Sequence, residues 1–207
     1  KAPMPPPQPK KKSRTPEVKP RVFSYTLIEN MKTAIIVHGW EGSSTRDWMP
    51  WAKAALEQEG VKVVVVPDMP HTEAPEIGEW VEYLKSVVGT PDKDTYFIGH
   101  SIGCQAILRY LEKLDAPVGG AIFVSVWFVL TNLEGPEAEA IAKPWVETPM
   151  DFEKIKANLP RSIVMLGDND PFVPYEETKK QFAERLGSEI ITLPGAGHIT
   201  GDDGFGP

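Results

Sequence analysis

The sequence comprises 207 residues, of which 41% are hydrophobic and one is cysteine, and its formal net charge is −7. A chain of this length buries enough apolar surface to fold without disulfides or metal ions, which excludes the disulfide-rich and zinc-dependent small domains. The acidic balance argues against nucleic-acid binding, and no apolar stretch reaches the roughly 18 residues that a membrane-spanning helix needs. We therefore expect one globular domain, with neither nucleic acid nor membrane as a partner.

The first 30 residues differ in composition from the rest of the chain. They carry seven basic and two acidic side chains, whereas residues 31–207 carry 15 basic and 27 acidic ones, and seven of the first 20 residues are proline. Such a segment cannot bury apolar surface, so we expect a basic proline-rich tail whose end, at 21–28, adds a strand. Its basic run precedes no apolar stretch of signal-peptide length, which predicts a cytoplasmic protein. The compact domain is expected at 31–207.

From Met31 onward, apolar runs of strand length alternate with segments of helical periodicity. Strands are predicted at 33–37, 61–66, 95–98, 120–124, 162–166 and 189–193. Helices are predicted at 47–59, 75–88, 102–114 and 175–186. This alternation predicts a doubly wound α/β fold, in which a mostly parallel sheet has helices on both faces. Prolines interrupt the pattern at 127–148, and we expect this segment to be an insertion over the strand ends, where ligands bind in such sheets.

A short glycine-flanked motif follows the third predicted strand. Gly99-His100-Ser101-Ile102-Gly103 matches the nucleophile elbow, a sharp strand-to-helix turn that exposes a serine at the helix N-terminus. The glycines give the turn the room it needs, and the free N–H of Ile102 can stabilise an oxyanion. The sequence therefore predicts Ser101 as a nucleophile, and the alternative is a tight turn without chemistry.

A serine nucleophile requires a histidine base and an acid, which in this type of fold follow it in the order acid, histidine. His198 is the only histidine after Ser101 and lies in the glycine-rich loop after the last predicted strand. Asp170 follows the fifth predicted strand, and two nearby prolines stiffen its loop. We favour Asp170 over Asp168, whose alternative role is a turn residue that binds its own backbone.

The loop after the first predicted strand is expected to provide a second oxyanion donor. There His38-Gly39 precedes Trp40, whose backbone N–H should face the active site and whose indole should line the pocket. His38 is interpreted as a structural residue bonded to backbone, with proton transfer as the alternative. Cys104 is interpreted as a small buried hydrophobe, with a reactive thiol as the alternative.

Three aromatic residues are candidates for the substrate pocket. Trp127 and Phe128 follow the fourth predicted strand directly, and Trp145 lies in the insertion. Packing in the core is the equal alternative, because aromatic side chains often fill the underside of insertions. If they line the pocket, short-chain or aromatic acyl groups should fit and long lipid chains should not.

Six motifs taken together carry a family resemblance. They are His38-Gly39-Trp40, Ser43-Ser44 with Trp48-x-Pro50-Trp51, Asp68-Met69-Pro70, Gly99-His100-Ser101-Ile102-Gly103-Cys104, Asp170-Pro171-Phe172-Val173-Pro174 and Gly197-His198. The combination resembles the small serine hydrolases grouped as retinoblastoma-binding protein 9 and YdeN. The resemblance implies a compact α/β-hydrolase fold without a large lid, with Ser101 as nucleophile, Asp170 as acid and His198 as base.

The residues and the resemblance together predict a serine hydrolase. Its expected partners are small ester or peptide-like amide substrates, cleaved through an acyl-enzyme as by a carboxylesterase or an aminopeptidase. No metal and no organic cofactor is expected. The alternative is a non-catalytic protein-binding module on the same scaffold, with residues 1–30 docking an acidic or proline-recognising partner.

Overall fold

The computed structural model describes residues 31–205, and the predicted tail and its strand at 21–28 lie outside this range. Six parallel strands of the described chain form one sheet in the order β2-β1-β3-β4-β5-β6. In chain order they are β1 (Thr33–Val37), β2 (Val63–Val65), β3 (Thr95–His100), β4 (Gly120–Val124), β5 (Ser162–Gly167) and β6 (Glu189–Leu193). The helices are α1 (Met49–Gln58), α2 (Ile77–Val88), α3 (Ile102–Leu111), α4 (Gly135–Glu147), α5 (Phe152–Asn158) and α6 (Tyr175–Leu186). None of these helices has the length and apolar composition needed to cross a bilayer.

Helices cover both faces of the sheet. Successive side chains of β1 alternate, so that Ile35 enters the core on one face and Ile36 the core on the other. Helix α1 covers the Ile36 face through Met49, Ala52 and Leu56, whereas α2, α3, α5 and α6 cover the Ile35 face. Burial on both faces explains why the strands are almost continuously apolar. The predicted doubly wound α/β architecture is confirmed.

The largest difference from the prediction lies in the insertion. Helix α4 occupies this region, in which the prolines suggest a break in regular structure, and a second helix that was not predicted, α5, follows the insertion. Pro136 lies in the first turn of α4, where a missing N–H costs nothing because that group has no partner within the helix. Pro144 lies within the same helix, close to its end at Glu147. The prolines therefore delimit a short helix rather than exclude one.

A buried arginine fixes the end of α4 to α3. Arg109 is 3% exposed, and its Nη2 donates hydrogen bonds to the carbonyl oxygens of Trp145 (2.8 Å) and Thr148 (3.0 Å). The Trp145 indole donates in turn to the carbonyl oxygen of Pro75 at 2.8 Å. Burial lowers the pKa of Arg109, but a guanidinium remains charged at any physiological pH. These bonds fix α4 to the helix that begins beside Ser101.

Two glycines allow the start of α3 to approach its neighbours. A Cβ added at Gly103 would lie 2.5 Å from the carbonyl oxygen of Val37 and closer still to that of His38. A Cβ at Gly99 would lie 2.9 Å from the backbone nitrogen of Cys104. The contacting atoms belong to buried backbone, which cannot move aside as a side chain can by changing its rotamer. A methyl group at either position would therefore clash. The glycine spacing of the motif is thus a packing requirement.

We expect Gly103→Ala to destabilise the fold, because the added methyl group would push α3 away from β1. Overpacking of this kind costs about 1–3 kcal/mol in the free energy of unfolding, measurable by urea denaturation. Gly78→Ala is the matched control, since a Cβ at Gly78 in α2 would meet no atom within 4 Å. The control should be unchanged or slightly more stable. Equal losses in the two variants would contradict the packing argument.

Candidate active site

Ser101 occupies a strained backbone conformation between β3 and α3. Its φ of 50° and ψ of −121° are unusual for a residue with a side chain and cost about 1–3 kcal/mol. The conformation is held by a hydrogen bond from the Ser101 N–H to the carbonyl oxygen of Val124 (2.9 Å), which continues the pairing of β3 with β4. The Ser101 side chain is therefore displayed at the N-terminus of α3.

His198 is bonded to the buried carboxylate of Asp170. Its Nδ1 lies 2.7 Å from Asp170 Oδ2, and the Asp170 side chain is 2% exposed. The other carboxylate oxygen accepts hydrogen bonds from the N–H groups of Phe172 (2.9 Å) and Val173 (3.1 Å). Because an ionised carboxylate can only accept, Nδ1 carries the proton and Nε2 is left with a free lone pair. Asp170 thus fixes both the orientation and the tautomer of His198.

Two neighbours of Asp170 bind the same glycine-rich loop. Asp168 Oδ1 accepts a hydrogen bond from the N–H of Gly195 at 2.7 Å. Asn169 Oδ1 accepts one from the N–H of Gly197 at 2.8 Å. Asp168 therefore bonds across to the loop after β6 rather than to its own backbone, contrary to its interpretation as a turn residue. Three consecutive side chains hold the loop that contains His198.

The backbone carbonyl of His198 accepts two further hydrogen bonds. His100 Nε2 donates to it at 3.0 Å, and Ser125 Oγ donates at 2.8 Å. His100 is buried, and this burial, aided by repulsion from His198, lowers its pKa to about 4. A neutral His100 packs with its ring centroid 5.2 Å from that of His198 without adding a second positive charge. His198 is thus fixed through both its ring and its backbone.

The two predicted oxyanion donors lie beside Ser101. Ile102 is the first residue of α3, and within residues 31–205 neither its N–H nor that of Trp40 donates a hydrogen bond. Gly39, which precedes Trp40, is so close to the elbow that a Cβ there would lie 3.5 Å from that of Ser101. The Trp40 indole donates to the carbonyl oxygen of Glu73 at 3.0 Å. The described chain therefore leaves two backbone N–H groups without a partner, one next to Ser101 in the sequence and one in the loop that packs against the elbow.

His38 and Cys104 have the structural roles that the sequence favours. His38 Nδ1 donates to the Gly39 carbonyl at 2.9 Å, and its Nε2 accepts from the N–H of Met69 at 3.0 Å. Burial lowers the pKa of His38, which keeps the ring neutral in this pair of bonds. Cys104 is completely buried, and burial raises the pKa of its thiol. Neither side chain is available for chemistry in the cavity.

A cavity of about 720 Å³ opens above Ser101. Ser101, His198, Trp40 and Trp127 line this cavity, and α4 contributes Glu137 and two apolar residues to its lining. The insertion therefore covers the strand ends, as predicted. The wall includes no lysine or arginine, but it includes the six carboxylates of Glu41, Asp47, Glu73, Glu134, Glu137 and Asp202.

Of the three predicted pocket aromatics, only Trp127 lines this cavity. Phe128 stacks on Phe182 with a centroid separation of 4.4 Å, and Trp145 is buried on the inner side of α4, where its ring packs edge-on against Trp80 of α2. These two belong to the core, which was the other interpretation of their sequence positions. Sequence reasoning missed Phe172, which lines the cavity and packs edge-on against His198 at 5.5 Å. Its place two residues after Asp170 could have indicated this contact.

Comparisons with known proteins identify relatives of the chain. A family model described as serine hydrolase matches residues 34–207. The YdeN hydrolase of Bacillus subtilis is 30% identical over 177 residues, which are 84% of this chain and 89% of that protein. Serine hydrolase RBBP9 of Rattus norvegicus is 32% identical over 168 residues, covering 80% and 86%.

Solved structures share the fold. The crystal structure of the Bacillus subtilis ydeN gene product superposes with a TM-score of 0.75 at 30% identity, covering 84% of this chain and 91% of that one. Est1E from Butyrivibrio proteoclasticus, solved with ferulic acid bound, gives a TM-score of 0.65 at 17% identity and covers 83% of each chain. At that identity the second likeness shows the fold alone.

We expect the buried His100 to make stability depend on pH. Its pKa is near 4 in the folded chain but about 6.5 in an unfolded one, so between these values the unfolded chain binds more protons. The free energy of unfolding should therefore fall as the pH drops from about 6.5 towards 4. His100→Gln keeps a side-chain N–H donor but cannot titrate, so its urea-measured stability should fall less. The same pH dependence in both proteins would refute the assignment to His100.

Proposed function

The chain belongs to the serine hydrolase family, and on this premise we propose that it cleaves small ester or amide substrates through a Ser101-His198-Asp170 triad. The observation that carries the proposal is the bond between His198 Nδ1 and the buried Asp170 carboxylate, in a loop that brings His198 to the same cavity as Ser101. A carboxylate is costly to bury unless its hydrogen bonds are satisfied. Here one oxygen of Asp170 binds His198 and the other accepts from the N–H groups of Phe172 and Val173 in the loop of Asp170 itself.

The first half of the reaction forms an acyl-enzyme. Ser101 Oγ attacks the substrate carbonyl carbon while its proton passes to His198 Nε2, and Asp170 stabilises the resulting imidazolium. The negative charge that develops on the carbonyl oxygen is stabilised by the N–H groups of Ile102 and Trp40 and by the N-terminus of α3. The tetrahedral intermediate then collapses, and the leaving group takes the proton from His198.

The second half of the reaction releases the acyl group. A water molecule attacks the acyl carbon and gives its proton to His198, and this proton then passes to Ser101 Oγ as the ester bond breaks. The same two backbone donors stabilise the second oxyanion. All proton transfers are thus carried by one histidine, whose ring is fixed by Asp170 and whose carbonyl is fixed by His100 and Ser125.

The size and charge of the cavity support a restricted set of substrates. A volume of about 720 Å³ suits a small molecule, with one side formed by α4. Six carboxylates without a lysine or arginine in the wall make the local potential negative, which disfavours anionic acyl groups. We therefore assign neutral or cationic esters and amides with short acyl groups as the substrate class.

The alternative, a protein-binding module that uses the basic tail, has less support. The tail lies outside the described residues, and nothing in residues 31–205 favours this function specifically. A binding scaffold would also have no use for a strained serine in the same cavity as a histidine whose ring is held by a buried carboxylate. Full hydrolytic activity after removal of residues 1–30 would separate the tail from the chemistry.

The triad assignment predicts that a fluorophosphonate probe labels Ser101 stoichiometrically, as located by mass spectrometry. Asp170→Asn should lower kcat by up to about 10⁴-fold, the scale of the equivalent change in serine proteases, because His198 would lose its favoured tautomer. Asp168→Asn is the matched control two residues away, since it bonds only the loop backbone, and it should cost far less. Labelling at another residue, or a larger loss at Asp168, would refute the assignment.

The cavity predicts that kcat/KM in a series of p-nitrophenyl esters peaks at short acyl chains. Trp127→Ala should shift this peak to longer chains, because the substitution enlarges the cavity. A hemisuccinate ester should react at least about tenfold more slowly than the neutral ester of equal length, since its carboxylate meets the acidic wall. A preference for chains of roughly ten carbons or more, unchanged in Trp127→Ala, would contradict the assignment.

A further inference from the structure

We propose that Trp127 is a further catalytic residue, whose indole N–H donates a hydrogen bond to Ser101 Oγ and stabilises the charge on that oxygen during the reaction. The inference rests on the proposed function of Ser101. It assigns to Trp127 a polar role in addition to its place in the wall of the cavity.

The geometry places the indole nitrogen against the nucleophile itself. Trp127 Nε1 lies 3.4 Å from Ser101 Oγ, and Trp127 is 1% exposed while still lining the cavity. An indole N–H can only donate, so Oγ is the acceptor. Polar contacts around a nucleophile are often long before substrate binds and shorten as charge develops. The indole must therefore be the donor and Oγ the acceptor, and burial of the Trp127 side chain holds the donor in place.

The backbone of Trp127 is fixed to the nucleophile helix. Gln105, one turn into α3, is completely buried, and its Nε2 donates a hydrogen bond to the carbonyl oxygen of Trp127. Two residues before Trp127, Ser125 donates to the carbonyl of His198 at 2.8 Å. The segment that follows β4 thus contacts the helix that presents Ser101 and the loop that presents His198. Trp127 is positioned relative to both members of the reacting pair.

A single hydrogen bond to Ser101 Oγ leaves the hydroxyl proton and one lone pair free, and nucleophilic attack requires both. A serine hydroxyl has one proton and two lone pairs. The Trp127 N–H occupies one lone pair, so the Oγ proton can be directed to His198 Nε2 while the second lone pair faces the substrate. The bond therefore orients the hydroxyl group as well as stabilising its oxygen.

The same donor acts in both halves of the reaction. In acylation the bond between Oγ and the acyl carbon forms while the Oγ proton moves to His198, and in deacylation that bond breaks while the proton returns. Oγ carries partial negative charge in each transition state, and a donor binds a charged oxygen more strongly than a neutral hydroxyl or ester oxygen. The donors of Ile102 and Trp40 act instead on the carbonyl oxygen of the substrate. Loss of the Trp127 N–H should therefore slow both steps without weakening substrate binding.

The test removes the N–H while keeping an aromatic ring. In Trp127→Phe we expect the rate constant for fluorophosphonate labelling of Ser101 and kcat for p-nitrophenyl acetate each to fall about tenfold, the scale of one hydrogen bond to a developing charge. The substrate concentration that half-saturates the pre-steady-state burst should stay unchanged. Incorporation of 3-benzothienylalanine at position 127, which replaces the N–H by sulfur at nearly constant shape, should give the same losses even if Trp127→Phe folds poorly.

Trp145→Phe is the matched control, because it removes another buried indole N–H, one bonded to the Pro75 carbonyl outside the cavity. It should leave both rate constants unchanged. Wild-type rates in the benzothienyl variant would overturn the role of Trp127, and so would losses that appear only in the half-saturating concentration. Failure of the wild-type chain to label at Ser101 would instead overturn the proposed function on which the role rests.

Discussion

The direct passage of the chain from β3 into α3 is the constraint on which the rest of the site depends. With no loop between them, the strand and the helix can both be buried only if the connecting residue takes the left-handed conformation seen at Ser101. The turn also forces the first turn of α3 against the end of β1, which only glycine at position 103 permits. The exposed hydroxyl and the free N–H of Ile102 follow from this packing. Strain at one residue is thus compensated by two well-filled cores.

Hydrogen bonds from polar side chains to the two facing loops complete the site. Asp170 is bonded to His198 and to its own loop, while Asp168 and Asn169 bind the backbone of the facing loop. His100 is kept neutral by burial and uses its one N–H to hold the carbonyl of His198. A second charge beside His198 would oppose formation of an imidazolium. A neutral His100 can therefore position the base without placing a positive charge beside it.

The sequence predicted the parts of the fold that depend on local pattern. Strands β1, β4 and β6 and helix α6 have the predicted bounds, because apolar period and glycine caps determine them; Gly187, for example, ends α6 with a φ of 66°. The pairing of Asp170 with His198 was also predictable, since both follow neighbouring strands of one sheet. Helix α4 was not, because a proline alone does not distinguish the start of a helix from its end. The places of Phe128 and Trp145 depend on contacts with α6 and α3 that no local pattern encodes.

Helix α3 links the chemistry to the cavity that selects the substrate. Its N-terminus presents Ser101, Gln105 fixes the carbonyl of Trp127, and Arg109 fixes the end of α4. These side chains lie about one turn apart along the same helix. The nucleophile, Trp127 and helix α4 are therefore all positioned by α3. The six carboxylates of the cavity wall form no hydrogen bond with Asp170 or His198 within the described chain. Side chains on the exposed part of α4 can therefore change substrate preference without displacing the reacting groups, whereas a change at Gln105 or Arg109 would alter both.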